Sequence, residues 1–378
     1  MLKPFNAVRI LDLTHDLGRY VGRLFADLGA EVLKIETPGG SRERILAQRT
    51  DSPEFAAEFE FFNASKKSVV IDISCADGRR KFMALAATSQ IVLLEKDGAF
   101  YDDVEELRAA APAAVVAAIS PFGNQGPASD ALGGDLILQA VGGLAWLTGR
   151  PGEPPLRLPG NQSTMITGVY AAVATSLALW DAENTGQGHL VEIAAQECIA
   201  HSLQNSIQVW DFENRISTRG GEGTRDASED VFACKDGAIF LSAPRNLGNS
   251  WNALIGWIEE TGHPAHIVLK EERWADRIWR MSGDAKHELR NVLEPFTMQF
   301  TKDELIEEAL RRKIVLGPVN SMQDVLDDIQ FAHRNYFVKL NIGNQILPTV
   351  FPGAPYNLSE HVWEVNPAPA LGETTVSF

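Results

Sequence analysis

Across residues 1 to 120, short runs of β-forming apolar side chains alternate with stretches of helical period, and this alternation constrains the fold more than any other feature. Residues 8 to 14 are a β-rich run, 17 to 28 follow the helical period, and 31 to 36 return to strand character. The order then repeats, with a strand over 68 to 73, a helix over 76 to 87 and a strand over 91 to 94. A helix over 104 to 110 and a strand over 114 to 119 extend it. Such βαβ order implies an α/β protein with a largely parallel sheet covered on both faces.

A dinucleotide-binding Rossmann domain begins in the same way, but its Gly-x-Gly-x-x-Gly turn is missing. Gly18 and Gly22 stand inside the first helical stretch, and no phosphate-binding P-loop sequence occurs. Farther along, residues 168 to 182 and 192 to 210 read as helices, and 214 to 230 as a polar, Gly-rich loop. A hairpin follows, Val231 to Cys234 and Ala238 to Leu241 around Lys235-Asp236-Gly237. Helices are expected at 248 to 260, 284 to 296 and 302 to 311, then the segment 314 to 320 and a helix over 321 to 328. With 378 residues and 45% apolar side chains the chain can bury a large core and form two domains. The boundaries drawn are a Rossmann-like large domain over 1 to 212, a smaller α+β domain over 213 to 313, and a return segment over 314 to 378.

A formal charge of −16 argues against nucleic acid or an anionic membrane as partner. The longest apolar tract, residues 169 to 180, is shorter than the roughly 20 residues a bilayer requires. Three cysteines, Cys75, Cys198 and Cys234, show no metal-ligand spacing and leave one unpaired in any disulfide scheme. Together with the lack of a leader pattern, this points to the cytoplasm. His263 and His266 lack accompanying ligands, so no metal is expected.

Several segments carry a resemblance. They are Val8-Arg9-Ile10-Leu11-Asp12-Leu13-Thr14, Ala26-Asp27-Leu28-Gly29-Ala30-Glu31, Pro38-Gly39-Gly40 with Arg44, and Asn63 with Lys66-Lys67-Ser68-Val69. Others are Ser120-Pro121-Phe122-Gly123, Thr185-Gly186-Gln187-Gly188, Gly317-Pro318-Val319-Asn320 and Pro369-Ala370-Leu371-Gly372-Glu373. In series, over about nine-tenths of the chain, they resemble the class III CoA-transferases, the formyl-CoA and carnitine-CoA transferase type. The resemblance implies an interlocked-ring dimer and a reaction that moves CoA between carboxylic acids. An aspartate four residues before a Gly-x-Tyr-Ala-Ala-type helix attacks the thioester, and the resulting aspartyl anhydride stays energy-rich enough for CoA to attack in turn.

Gly168 in Gly168-Val169-Tyr170-Ala171-Ala172 sets the register and puts Thr164 at the aspartate's position. A hydroxyl there is almost never ionised near neutral pH, and its acyl product would be an ordinary ester that traps the acyl group. Otherwise Thr164 reads as a small residue satisfying its hydroxyl near a helix start. Between Asp135 and Asp181 the intervening carboxylate is Glu153, in a Pro/Gly-rich loop. Racemase chemistry, the family's other activity, would need a His where Gly134 stands, together with the same aspartate.

The resemblance also implies nucleotide contacts that this chain departs from. Ile71-Asp72-Ile73-Ser74 carries Ser74 in place of a lysine, and Leu94-Glu95-Lys96-Asp97-Gly98 carries Glu95 and Asp97 where neutral and basic groups are expected. Carboxylates about 5 Å from phosphates would repel by roughly 3 kcal/mol per pair at an effective dielectric near 20. Read otherwise, Glu95 and Asp97 are solvated loop charges. Arg44, Lys66 and Lys67 remain as CoA candidates, the two lysines alternatively forming a solvated turn. His15 is read either as a substrate contact or as a cap before the first helix, and Asn246, Gly248 and Asn249 stand where some relatives carry a glycine-rich closing loop.

Three functions follow as expectations. The first is a non-catalytic subunit of a heteromeric transferase, of which succinyl-CoA:benzylsuccinate CoA-transferase is an example. A homologous partner would carry the aspartate, CoA thioester and a small carboxylic acid would be substrates of the complex, and no cofactor would be tightly bound. The second is a homodimeric acyl-CoA-processing enzyme using Asp135, Glu192 or water. The third is an acyl-CoA-binding pseudoenzyme without turnover.

Overall fold

The computed structural model describes residues 3–49, 53–150, 152–203, 206–219, 225–245, 248–342, 348–361 and 363–376. Two compact units emerge: residues 1–146, 156–208 and 332–378 make one, and 147–155 with 209–331 the other.

The first unit is built on six parallel strands, β1 (Arg9–Asp12), β2 (Glu31–Glu36), β3 (Lys67–Val70), β4 (Ile91–Glu95), β5 (Val115–Ser120) and β6 (Leu190–Ala194). Their order is β3-β2-β1-β4-β5-β6, the doubly wound arrangement. Between them run α1 (Arg19–Asp27), α2 (Arg42–Arg49), α3 (Pro53–Asn63), α4 (Ala76–Ala86), α5 (Val104–Ala110), α6 (Asp135–Val141), α7 (Leu144–Leu147) and α8 (Gln162–Thr185). After β6 come α9 (Ala195–Ser202) and α10 (Ser206–Glu213). Glu192 therefore lies in β6, where a helix is expected from the sequence; the sheet's sixth strand takes the first residues of that apolar stretch.

Successive strand residues face opposite layers, and both layers are buried. Ile10, Val32, Ile91, Leu93 and Val115 pack with Val21 and Phe25 of α1 and Ala171 and Leu179 of α8. Leu11, Leu33, Val92, Leu94 and Val116 pack with Phe82 and Leu85 of α4 and Leu107 of α5. Burial on both faces explains why the strands read as near-continuous apolar runs.

Helix α8, at 24 residues, exceeds the dozen-residue apolar tract and by length and composition could cross a membrane. In this fold it lies against α1, α6, α9, β5 and β6. Gly168 permits the close approach of α1, since a Cβ there would stand 2.7 Å from Cβ of Tyr20.

In the second unit β7 (Asp230–Cys234) and β8 (Gly237–Ser242) form the expected antiparallel hairpin. Around it lie α11 (Ser250–Glu260), α12 (Ala265–Leu269), α13 (Arg277–Arg280), α14 (Gly283–Thr297) and α15 (Lys302–Arg312). The next strand, β9 (Val315–Val319), pairs with β8, so the chain remains in this unit beyond residue 314 and through α16 (Met322–Asp327). Its core contains Trp251, Trp257, Trp274 and Phe296. After α17 (Ile329–His333), strands β10 (Phe337–Leu340) and β11 (Thr349–Pro352) pair antiparallel in the first unit.

Candidate active site

In an open parallel sheet, ligands bind outside the carboxyl ends of the strands where the order reverses, here between β1 and β4. This chain fills that crevice itself. Glu95, the last residue of β4, is 3% exposed. Its carboxylate accepts the backbone N–H groups of His15 (2.9 Å), Asp16 (3.0 Å), Leu17 (2.8 Å) and Gly18 (3.2 Å). Converging N–H groups at a helix start are a ready anion site, and Glu95 is its internal anion. The expectation that Glu95 faces a ligand's phosphates, or solvent, is thus corrected. Asp97 is exposed in a left-handed turn (φ 65°), and exposed Ser74 donates to Asp72 before α4.

The three cationic CoA candidates are also committed within the protein. Arg44 is buried and forks onto Glu36, with Nε and Nη2 at 2.8 and 2.7 Å from its oxygens, and also donates to the Pro369 carbonyl. Burial alone would push Glu36 up, but the bonds from Arg44, Ser68 and the Ser41 N–H outweigh it and hold the carboxyl down at about 2. Lys66 is fully enclosed, 2.7 Å from Asp12 and donating to the Arg19 carbonyl and Asn63. Burial would likewise push Asp12 up, yet the Lys66 and Lys34 ammonium groups hold it below the carboxylate range. Lys67 is exposed on edge strand β3 and pairs with Glu31. Arg44 and Lys66 are therefore structural, because a buried cation must be paired. The solvated-turn reading of Lys66 is corrected with them.

Thr164 is the third residue of α8, whose first turn is held by Asp135. That carboxylate accepts the Ser163 N–H at 2.7 Å and the Gln139 amide at 2.7 Å, while the Ser163 hydroxyl donates to the Asp135 carbonyl. Thr164 is 0% exposed, and its hydroxyl finds no partner among the described residues. The expected satisfied hydroxyl near a helix start is not what the structure contains. Glu192 is committed as well, accepting the Asn124 N–H at 2.5 Å.

What is open near the start of α8 is a cavity of about 320 Å³ between α1, α2, α3 and the loop before α8. His15, Asp16 and Arg19 line it from the β1–α1 loop and α1, Arg42 and Glu43 from α2, Glu58 and Phe59 from α3, and Arg157 and Asn161 from the loop. Arg19 is only 7% exposed, and its guanidinium lies 4.1 Å over the Phe62 ring. Its pairings are long, 3.4 Å to Glu58 and 3.9 Å to Glu43, and its Nε has no hydrogen-bond partner among the described residues. Glu58 also receives the Asn161 amide at 2.8 Å, and Glu43 is ion-paired with the enclosed Lys34. Burial pushes Asp16 up, helped by Glu95 and opposed by Arg19, His15 and Arg42. Of the described residues singled out from sequence as site candidates, His15 alone lines this cavity. The arginines escaped notice because they come from separate elements; the available hint was Arg19, four residues after His15 at the start of α1.

Gly248 and Asn249 lie in the second unit at the start of α11, Gly248 with φ 71° and Asn249 as the residue preceding the first turn. Asn246 lies outside the described residues.

With the geometry in place, comparison with known proteins is decisive. The sequence pattern of CoA-transferase family III matches residues 5–375. The chain belongs to that family. It is 31% identical to the BbsE subunit of succinyl-CoA:(R)-benzylsuccinate CoA-transferase from Thauera aromatica, over 99% of this chain and 93% of that one. It is 28% identical to a succinate–glutarate CoA-transferase from Agrobacterium fabrum, over 98% and 93%. A crystal structure of a CAIB/BAIF family protein from Brucella suis superimposes with a TM-score of 0.83 at 26% identity, covering 98% and 97%. Within the family, this chain's first-unit cavity offers arginines and a histidine, and Thr164 offers an enclosed hydroxyl near the start of α8.

Proposed function

We propose that this chain is the non-catalytic subunit of a heteromeric class III CoA-transferase whose homologous partner carries the aspartate nucleophile. The observation that carries the reading is Thr164, fully enclosed at the register that Gly168 sets. Exchange of CoA between acids needs a group whose acyl adduct is itself activated, and a buried neutral hydroxyl supplies none. The similarity to BbsE, named as a subunit, supports the same reading.

An exposed apolar ridge on α8 supports association with another chain. Val169, Val173, Leu177 and Trp180 recur at helical spacing and are 49, 57, 63 and 68% exposed. Leu136, Ile137 and Val141 of α6 are exposed as well, and contiguous patches of this kind mark protein interfaces. The partner proposed is an interlocked homologous chain. CoA thioester and a small carboxylic acid are then substrates of the complex.

A homodimeric enzyme using Asp135 or Glu192 is less well supported, because both carboxylates hold backbone N–H groups. To test the proposal, the chain is purified alone and with a homologous aspartate-bearing subunit, CoA transfer is assayed, and acyl adducts are sought by intact mass. Transfer is expected from the mixture, with the adduct on the partner; turnover by this chain alone overturns the reading. Thr164→Asp should neither gain an adduct nor fold as stably, since it places a carboxylate where nothing solvates or pairs it.

A further inference from the structure

The cavity near the start of α8 has a buried, poorly paired guanidinium in its wall. Arg19 is more than nine-tenths buried, yet its pairing is poor: its contacts to Glu58 and Glu43 are long and its Nε is unpartnered among the described residues. A buried guanidinium with unused donors has free energy to gain from a carboxylate. Each of these two acids has a shorter contact of its own, Glu43 with Lys34 and Glu58, through its other oxygen, with the Asn161 amide. The lining carries three arginines (Arg19, Arg42, Arg157) and His15 beside three acids (Asp16, Glu43, Glu58), a concentration of cations in a chain of net charge −16.

Helix α8 adds to this. Its 24 residues direct a positive dipole end towards the region, and Asn161 at its start lines the cavity. The packing of Tyr20 on Gly168 sets α1 against α8, so that Arg19 comes from the residue preceding that contact and Thr164 from the turn preceding it.

We propose that this cavity binds a small free dicarboxylate, gripped by buried Arg19 in the wall and by exposed Arg157 and Arg42 at the rim, and performs no chemistry on it. Cations at two depths suit an acid with two charged ends. The volume, about 320 Å³, lies at the low end for ligand pockets and suits a four- or five-carbon acid, not a whole CoA thioester. The inference rests on the proposed function only in taking this chain to be without a nucleophile.

The test is calorimetric titration of the complete chain with succinate, acetate and sulfate. Saturable succinate binding is expected, with acetate and sulfate weaker. Arg157→Ala, an exposed change that leaves the thermal midpoint in place, should weaken succinate about tenfold, the worth of one charge-assisted contact. Arg19→Ala should abolish binding. Should that variant fail to fold, Arg19→Lys keeps a charge but loses the fork and should weaken succinate by at least as much as Arg157→Ala. No binding of succinate at millimolar concentration, equal affinity for all three anions, or indifference to Arg157→Ala overturns the proposal. Turnover by the unpartnered chain, with succinate still bound as described, would instead remove the subunit reading and the absence of chemistry, and leave the cavity's ligand standing.

Discussion

Two buried arginines, one in each unit, have opposite relations to their surroundings. Arg280 in the second unit is 1% exposed and fully engaged. Its Nε and Nη2 fork onto Asp226 at 2.5 and 2.6 Å, Nη2 also donates to the Ala243 carbonyl, and the guanidinium lies 3.9 Å over Trp251. Arg19 in the first unit is nearly as buried, but its ion pairs stretch to 3.4 and 3.9 Å and one nitrogen is unpartnered among the described residues. Arg280 closes on itself as part of the core, whereas Arg19 is left incomplete beside a cavity. Burial alone does not separate a structural ion from a binding one; completeness of pairing does.

The largest effect should come from the complete pair. Arg280→Ala leaves Asp226 without its partner and is expected to cost about 3–5 kcal/mol. Urea unfolding followed by tryptophan fluorescence reads it directly, since Trp251 and Trp274 flank the guanidinium. A loss below 1 kcal/mol would remove the contrast from its stronger side. Glu95→Gln should come next, because an amide cannot accept all four N–H groups of the nest, and a loss of roughly 2–3 kcal/mol is expected. The same change loosens the loop carrying His15 and Asp16, so anion binding should weaken with stability.

How far these relations can be read from sequence depends on whether partners are neighbours in the chain. The βαβ alternation sets the parallel sheet because each strand's apolar run and each helix's period are local signals, and β1 to β5 appear within a few residues of their expected places. β6 did not, since Leu190 to Ala194 runs without a break into the helix beginning at Ala195. The resemblance motifs turn out to hold the fold together. Glu36, Arg44, Ser68 and the closing Pro369 to Gly372 form one cluster, in which Arg44 donates to the Pro369 carbonyl and Gly372 donates to Ser68. Asp12, Asn63 and Lys66 form another. Spacing alone cannot tell a lysine that meets a phosphate from one that neutralises a strand-end aspartate. For the same reason Glu95 looked like a surface charge, its partners lying some 80 residues earlier.

A third buried ion tests the rule on the acid side. Asp27 is fully buried with Arg23 at 3.3 Å, and burial pushes its carboxyl up to about 6 despite Arg23, Ser65 and Trp363. The folded state therefore binds this proton more tightly than the unfolded chain, so the contribution is full below about pH 4 and is lost as pH rises through about 6. Acidifying from pH 7 to 5 should raise stability by roughly 1 to 2 kcal/mol. In Asp27→Asn that gain should vanish, which urea midpoints at the two pH values will show. An unchanged slope would mean that Arg23 compensates the charge fully and that Asp27 belongs with Arg280.

The smallest effect is expected where the pairing is least complete. Removing the Arg19 guanidinium breaks only long contacts, and both acids keep other partners, Glu58 the Asn161 amide and Glu43 the Lys34 ammonium. What is lost is mainly the contact with the Phe62 ring, while the cost of holding a poorly compensated cation out of water disappears. Arg19→Ala should therefore change unfolding stability by less than about 1 kcal/mol, well below Arg280→Ala, and yet abolish succinate binding. A stability loss matching that of Arg280→Ala would mean that the two arginines are alike, the long distances notwithstanding. The cavity would then be a gap beside a structural ion, and the case for a bound dicarboxylate would lose its foundation.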